Sequence, residues 1–254
     1  RTLPELAAEI ERQKSAKRDF LGSSAQMEMV LNEDKPDGAP NLVQFQVGEH
    51  GPFGMRETFH NQLSAWTGVP QRYYDTLLAQ APELLIENVN HWLAAKNDRR
   101  LVRTLDRKAR AFLSDRYRPL DNYDLLQAAL PALMEQQDLQ IHSTEVTDSR
   151  LYVKAVTPRV QAEVRKGDVV QAGIVISNSE IGQGSVRVEP MIFRLVCLNG
   201  AIAETAMRKY HIGRQNGGDF FEKAEEYFST QTRRADDQAF WLKVRDVVHG
   251  ALNQ

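Results

Sequence analysis

Two apolar, β-branched runs in the second half of the chain, residues 169–176 and 186–197, form the clearest hydrophobic pattern. A polar loop that contains Gly182 and Gly184 separates them, and this arrangement predicts an antiparallel hairpin with a long connection. Pro190 interrupts the second run and has no backbone N–H to donate to a sheet. We therefore expect an edge position, a bulge or a bend at Glu189 and Pro190.

Shorter alternating runs predict further strands. Residues 101–105 and 109–113 are typical of two strands joined by a turn at 106–108, and residues 139–146 and 151–156 are typical of a second hairpin. Residues 42–47 also alternate and predict a first strand. Residues 158–168 are charged and carry few apolar anchors, so we expect a mobile loop there.

Helical periodicity covers much of the remaining chain. Residues 2–17 place Leu3, Leu6 and Ile10 on one face, and Thr2 with Glu5 forms a capping box at the start. Further helices are predicted over residues 59–66, 70–78 and 82–95, from Asp121, from Ala201, over 219–228 and around 240–252.

The segment 62–74 has the outline of a helix-turn-helix motif. A small residue, Ser64, lies four positions before Gly68, and an apolar residue and a helix start follow. A plain corner between two packed helices produces the same pattern. A DNA-reading helix normally offers several basic or amide side chains, and this one offers few, which favours the plain corner.

Together these patterns predict an α+β fold with a mostly antiparallel sheet and helices packed on one face. The sheet would contain the strands near 101–113, 139–157 and 169–197. We expect an N-terminal helical segment at residues 1–31, an α+β core domain at 42–215 and C-terminal helices at 216–254.

Composition narrows the class of protein. The chain has 254 residues and 42% hydrophobic content, enough for a sizeable core. No apolar run approaches the roughly 20 residues that span a bilayer, so we expect no membrane association. Cys197 is the only cysteine, which excludes a disulfide within the chain and favours the cytoplasm. The net charge of −2 neither indicates nor excludes nucleic acid, because the distribution of the cations decides that.

The densest basic segment covers residues 97–121 and interleaves cations with Phe112 and Tyr117. Cations neutralise phosphates and exposed rings stack on bases, so this pattern favours single-stranded nucleic acid. A solvated surface with local ion pairs, such as Asp115 with Arg116, gives the same pattern. A second basic and aromatic cluster follows at residues 208–214.

Catalytic chemistry has little support. The six histidines are scattered and none has a ligand spacing with a second His or Cys, so we expect no metal and no cofactor. Cys197 lies in an apolar run, which is typical of a small core residue. Residues 177–180, Ser-Asn-Ser-Glu, contain groups that a hydrolase uses, but they also suit a turn. We assign no catalytic residue.

Three segments carry a resemblance to a known family: FLSDRYRPLDN at 112–122, ISNSEIG at 176–182 and FRLVCLNG at 193–200, followed by Arg208 and His211. Over roughly residues 40–230 the chain resembles the phage and plasmid proteins grouped as domain of unknown function 932. The family has no assigned activity, so the resemblance carries no catalytic residue over to this chain. The resemblance implies a prokaryotic host and a mobile-element setting, where recombination and replication proteins are often encoded.

We expect a non-catalytic, cytoplasmic protein that binds single-stranded DNA in phage or plasmid recombination or replication. Strand annealing and assembly into a homo-oligomer are further expectations. The alternatives are a duplex-binding regulator that uses residues 62–78, a nucleic-acid-processing enzyme that uses 177–180, and an anti-host factor or scaffold that binds another protein. The predicted contacts are Arg107, Lys108, Arg110, Arg116, Arg118, Lys154, Arg165, Lys166, Arg208, Lys209 and Arg214, with Tyr117 and Tyr210 as stacking platforms.

Overall fold

The computed structural model describes residues 2–32, 42–136, 138–166, 168–194, 199–202, 207–209 and 229–253. The chain divides into two compact units. We call Arg12–Tyr117 the inserted unit, because Arg1–Glu11 and Arg118–Gln254 together form the other, which we call the flanking unit. Helix α1 (Leu3–Ala16) crosses the first boundary. This division differs from the expected one, in which a single core domain ran from 42 to 215.

The inserted unit contains a six-stranded sheet and three helices. Its elements in chain order are β1 (Lys17–Ser23), a 3-10 turn (Ser24–Gln26), β2 (Met27–Leu31), β3 (Val43–Val47), β4 (His50–Met55), α2 (Glu57–Thr67), α3 (Gln71–Gln80), α4 (Pro82–Lys96), β5 (Arg99–Leu105) and β6 (Lys108–Ser114). The strand order is β1-β5-β6-β4-β3-β2. All neighbours are antiparallel except β4 and β6, which are parallel.

The sheet of the inserted unit is strongly curled. Strands β1 and β2 lie at its two edges, yet only the three-residue 3-10 turn separates them along the chain. A flat sheet of six strands would be about 24 Å wide at about 4.8 Å per strand, whereas the turn spans at most about 14 Å. The two edges therefore converge at this turn.

Aromatic rings fill the core between this sheet and its helices. Phe45 of β3, Phe59 of α2 and Phe112 of β6 form a triangle of edge-to-face contacts, with centroids 4.9 to 6.0 Å apart. Leu63, Leu85 and other buried residues of the helices pack around them. Such ring pairs contribute about 0.5–1.5 kcal/mol beyond the burial of their area.

The flanking unit contains the second sheet. Its remaining elements are α5 (Asn122–Met134), β7 (Gln140–Val146), β8 (Leu151–Arg165), β9 (Asp168–Asn178), β10 (Val186–Arg194), β11 (Asn199–Ile202), β12 (Met207–Lys209) and α6 (Thr230–Asn253). The strand order is β11-β10-β9-β8-β7, and β12 also pairs with β10. All these pairings are antiparallel.

Helices α1, α5 and α6 cover one face of this second sheet. Helix α6 contributes an apolar stripe that repeats every four residues, Phe240, Val244, Val248 and Leu252. The stripe packs in one core with α5, α1 and alternate residues of β8, β9 and β10. Burying each such side chain contributes about 1.5–3 kcal/mol, so the helical face of the sheet is fixed by this cluster.

The structure confirms the α+β fold class and the three predicted hairpins, β5–β6, β7–β8 and β9–β10. Helices α1 to α6 lie where helical periodicity predicts them, and the helix predicted over 219–228 lies outside the described residues. The capping box of α1 is also present, since the Thr2 N–H donates to Glu5 Oε2 at 2.8 Å. None of the helices in the described ranges is long and apolar enough to cross a membrane.

Four predictions were wrong in detail. Residues 17–31 form β1 and β2 instead of continuing a helical segment. The expected loop at 158–168 is the end of β8 and the start of β9, which pair across a short turn. Residues 199–202 form β11, where we expected a helix start at Ala201. The predicted strands also divide between two sheets, because β5 and β6 belong to the inserted unit.

Pro190 lies inside the sheet rather than at its edge. Strand β10 pairs with β9 without a register shift on one side. On the other side, Val186–Val188 pair with β12 and Met191–Arg194 pair with β11. Glu189 and Pro190 fall between these two registers, and their described partners are Val175 and Ile174 of β9.

Candidate nucleic-acid interface

The predicted cations Arg107 and Lys108 lie at the turn between β5 and β6. Asp106 and Arg107 both have positive φ, 51° and 59°, which is the geometry of a two-residue hairpin turn of type I′. Arg107 is exposed and Lys108 is half-buried. Arg12 of α1 binds Asp106 at 2.7 Å, so the acid of this turn is paired within the unit.

Arg110 and Tyr117 are not accessible for the nucleic-acid contacts that the sequence predicted. Only 2% of Arg110 is exposed, and the residue lies at a bulge, since Ala109 and Ala111 are the register partners of Thr104 and Arg103. Tyr117 is 7% exposed. A buried ring offers no face for a base and a buried guanidinium reaches no phosphate, so neither residue is kept as a contact.

Arg118 is bound within the flanking unit. Its guanidinium forms a fork on Asp237 of α6, with Nε 3.2 Å from Oδ2 and Nη2 2.7 Å from Oδ1. It also donates to the Arg233 carbonyl and lies 3.5 Å from Asp236. Such bidentate pairs hold geometry strongly, and the side chain is 13% exposed. Arg118 therefore ties the start of α5 to α6, whereas Arg116 is exposed.

Polar rows lie on the face of the second sheet opposite the α1–α5–α6 core, next to a small buried apolar cluster on the same face, Val156, Val175, Met191 and Phe193. Directly paired residues of neighbouring strands point to the same face. One row across the sheet joins Glu145, Tyr152, Ser177 and Arg187. Tyr152 is 36% exposed, and the backbone of β12 continues the row at Arg208. We call this surface the polar sheet face.

The next row on the polar sheet face contains Lys154 and Glu189, on either side of Val175. The Lys154 ammonium lies 5.0 Å above the ring of Phe193, within the range of a cation–π contact. The His142 ring is 4.6 Å from the same Phe193 ring. Glu189 is only 5% exposed, so the cation of this row is more accessible than its acid.

The remaining predicted residues fall in three groups. Lys166 is exposed at the turn between β8 and β9. Arg165 lies in β8, and Arg208 and Lys209 lie in β12, where the backbone positions are described. Tyr210 and Arg214 lie outside the described residues.

Tyr152 and Arg187 were not predicted from the sequence. The alternation of core-facing and outward-facing residues in β8 and β10, combined with the hairpin register, identifies both residues. Leu151 and Val153 occupy the core face, which places Tyr152 and Lys154 on the other one. The register of β9 with both neighbours then aligns Tyr152 with Arg187 through Ser177.

The Ser-Asn-Ser-Glu segment at 177–180 anchors a helix. Glu180 is 2% exposed, and its Oε1 accepts the backbone N–H of Asn122 at 2.7 Å. Asn178 Nδ2 donates to the Leu120 carbonyl at 2.7 Å and to Asn122 Oδ1 at 2.9 Å. A carboxylate at a helix N-terminus satisfies an N–H and favours the helix dipole. These contacts explain Asn178 and Glu180 as the clamp that holds α5 on the sheet.

The helix corner at residues 62–74 has a packed interior. Leu63 and Val69 are buried, and Gly68 ends α2 with a φ of 86°. The Tyr74 hydroxyl lies 2.9 Å from His60 Nδ1. Burial lowers the pKa of His60 from 6.5 to about 4 and raises the pKa of Tyr74, with Asp75 a smaller influence on both. The imidazole is therefore neutral at pH 7 and shares a hydrogen bond with the hydroxyl.

The surface of this corner offers little to duplex DNA. Arg72 is the one basic residue of α3, and Asp75 balances it one turn later. The Gln71 side-chain amide donates a hydrogen bond to Asp75 Oδ1 at 2.7 Å. A recognition helix uses several basic or amide side chains on base edges, so the geometry favours a packing corner.

Cations beside the corner contact aromatic rings of the same unit. The Lys96 ammonium lies 4.8 Å above Trp66 and 5.6 Å above Trp92, and Arg100 lies between Trp66 and Phe112. Burial lowers the pKa of the Arg100 guanidinium, with Asp98 and Asp115 acting in the opposite direction. This ladder of cations and rings braces α2 and α4 against β5 and β6. Within the described ranges, no group of His, Cys, Asp and Glu is arranged to hold a metal ion.

The second sheet corresponds to a known protein family. The family described as "Domain of unknown function (DUF932)" matches residues 110–239, which include the end of β6, α5 and all strands of the second sheet. No curated protein and no solved structure matches the chain.

Proposed function

The chain belongs to the DUF932 family, and from the chemistry of its second sheet we propose that it binds single-stranded DNA on the polar sheet face. The observation that carries the proposal is the placement of Tyr152 between two cations. Lys154 lies two residues away on β8, about 7 Å at the rise of a strand. Arg187 lies two strands away in the same row.

This arrangement supplies what a single strand requires. Its phosphates bind cations, and its unpaired bases stack on exposed aromatic rings. Tyr152 offers such a ring, and the contact with Phe193 orients the Lys154 ammonium. Arg187 is steadied by a 3.2 Å contact between its Nε and Ser185 Oγ. Cations and a ring held on strands form a preorganised surface, which lowers the entropic cost of binding.

The proposed footprint extends along the same sheet. Lys166 at the β8–β9 turn, and Arg165, Arg208 and Lys209 by their backbone positions, add basic residues to it. Arg107 and Lys108 form a separate candidate contact on the inserted unit. Strand annealing, a homo-oligomeric assembly and a role in phage or plasmid recombination in the bacterial cytoplasm complete the proposal.

Salt-dependent binding to a labelled mixed-sequence oligonucleotide tests the proposal by fluorescence anisotropy. Lys154→Ala with Arg187→Ala should flatten the slope of log affinity against log salt by about 0.7 for each phosphate that the variant no longer neutralises. Tyr152→Ala should cost about 1–3 kcal/mol of affinity, whereas Tyr152→Phe keeps the stacking ring. Particle size measured with and without the oligonucleotide tests the assembly.

Matched variants separate this surface from the rest of the chain. Tyr73 is 50% exposed on α3, so Tyr73→Ala removes an exposed tyrosine from the inserted unit and should leave affinity unchanged. Arg107→Ala with Lys108→Ala tests the turn of the inserted unit. No binding of the single strand at low salt would overturn the proposal. An unchanged slope in the Lys154 and Arg187 variant would exclude the polar sheet face.

A further inference from the structure

A groove of about 570 Å³ runs between α5 and α6 in the flanking unit. Its apolar lining comes from Ala128 and Pro131 of α5 and from Trp241 and Leu242 of α6. Leu242 is 47% exposed, although the helix buries its other face in the core. Met134, three residues after Pro131 and on the same side of α5 by helical periodicity, is 73% exposed. The groove is thus an apolar surface open to solvent.

Two arginines flank this apolar lining on α6. Arg234 and Arg245 both line the groove and are eleven residues apart, which places them on one side of the helix. Their separation along the axis is about 16 Å, or three turns. Trp241 and Leu242 lie between them. Asp237 and Gln238 also lie between them. The α6 side of the groove is therefore basic at each end, and its middle combines these two polar residues with an apolar pair.

The charges of the groove favour an acidic ligand at those two ends. Asp237 also lines the groove, but the fork from Arg118 neutralises its carboxylate. Asp124 lies in the first turn of α5, where the helix dipole offsets a negative charge. Arg245 pairs with its neighbour Asp246 at 3.0 Å on an exposed surface, and such pairs contribute little and exchange readily.

A helix fits these features better than a nucleic acid strand. A phosphate chain places a negative charge on every nucleotide, including those that would lie over Leu242 and Pro131. An amphipathic helix places apolar side chains at positions i, i+3, i+4 and i+7 along one side, with freedom to carry acids only in its first and last turns. Three turns of such a helix match the separation of Arg234 and Arg245.

We propose that the α5–α6 groove is a docking site for a partner helix with an apolar centre and acidic residues at both ends. The apolar side chains of the partner cover Trp241 and Leu242, and its terminal carboxylates bind Arg234 and Arg245. This site is independent of the polar sheet face, because it lies on the helical layer of the same unit.

Two synthetic helical peptides test the site by calorimetric titration of the full chain. They share a leucine stripe of about three turns and differ only in their first and last turns, which carry Glu in one peptide and Lys in the other. The Glu peptide should bind and the Lys peptide should not. Leu242→Glu should weaken the Glu peptide by about tenfold or more, as expected for a central apolar contact. Leu84→Glu is the matched control, because Leu84 is also 47% exposed but lies on α4.

Charge reversal gives the decisive result. Arg234→Glu with Arg245→Glu should abolish binding of the Glu peptide and create binding of the Lys peptide, whereas Lys243→Glu, an exposed residue of the same helix, should change neither. Equal binding of both peptides, or none, would overturn the proposal. Loss of oligonucleotide affinity in the Leu242→Glu variant would assign the groove to nucleic acid. Concentration-dependent self-association that Leu242→Glu removes would assign it to a second copy of the chain.

Discussion

At the scale of single residues, the structure separates cations that hold the fold from those that face solvent. Arg110 and Arg118 belong to the same basic segment as Arg107 and Arg116. The first two are buried or held by carboxylates, and the last two are exposed. A basic run in a sequence therefore overstates the number of cations that a phosphate can reach.

The pair of His60 and Tyr74 makes the stability of the inserted unit depend on pH. In the unfolded chain the His60 imidazole binds a proton below about pH 6.5. In the folded protein it does so only near its pKa of about 4. The free energy of unfolding should therefore fall as the pH decreases from about 6.5 to about 4, by about 3 kcal/mol.

Urea denaturation at several pH values measures this effect. His60→Gln keeps a hydrogen-bonding group for the Tyr74 hydroxyl but cannot titrate, so the variant should lack this part of the pH dependence. His91→Gln replaces an exposed histidine of α4 and should retain it. The same pH dependence in wild type and His60→Gln would exclude His60 as its source.

At the scale of elements, the centre of β9 depends on a residue without a side chain. A Cβ atom on Gly173 would lie 2.7 Å from the Ala155 carbonyl oxygen of β8 and 3.0 Å from Met191 Cγ of β10. The neighbouring backbone cannot yield without disturbing the β8–β9 ladder. Glycine is therefore required for the close approach of these strands, which carry Lys154 and Tyr152.

Gly173→Ala should destabilise the protein by about 1–3 kcal/mol, the usual cost of overpacking a well-packed site. Chemical denaturation measures the change. Gly184→Ala is the control in the same unit, because its added Cβ would meet Ser179 at an ordinary 3.5 Å. Equal stability of the two variants would contradict the requirement for glycine at position 173, because it would mean that β8 and β9 can move apart to make room for a Cβ atom.

At the scale of the whole molecule, the two units have separate cores. Among the described residues, the buried members of the aromatic core all lie between Met27 and Phe112, and those of the core under α6 all belong to the flanking unit. Each unit also has its own sheet. The family match begins at residue 110, so it covers the second sheet and little of the inserted unit.

The fragment 12–117 should fold by itself, since the described residues of its core all lie within it. A cooperative thermal transition followed by circular dichroism is the expected result. Phe59→Ala in the same fragment should lower the midpoint, because removing a buried phenylalanine costs about 3–5 kcal/mol. A fragment without a cooperative transition would mean that the flanking unit is needed to complete the fold.

Local patterns predicted most elements but not their grouping. The hairpins β5–β6, β7–β8 and β9–β10 follow from alternation and turn residues that are close in sequence. Strands β1 and β2 were not predicted. Strand β1 contains Lys17, Arg18 and Asp19 and lacks an apolar alternation. The division into two sheets was missed as well, because strand order depends on contacts between distant segments.

The sequence by itself determined the α+β class and the main hairpins, because periodicity and turn chemistry act over a few residues. It also contained the segment 176–182, with Asn178 and Glu180, that carries the family resemblance. Only the tertiary structure decided what those residues do. Asn178 and Glu180 hold the start of α5 across 56 and 58 residues of chain. Tyr152 and Arg187 meet in one row only through the register of β9. Burial and pairing over such separations are set by packing, and they decide which side chains remain for a ligand.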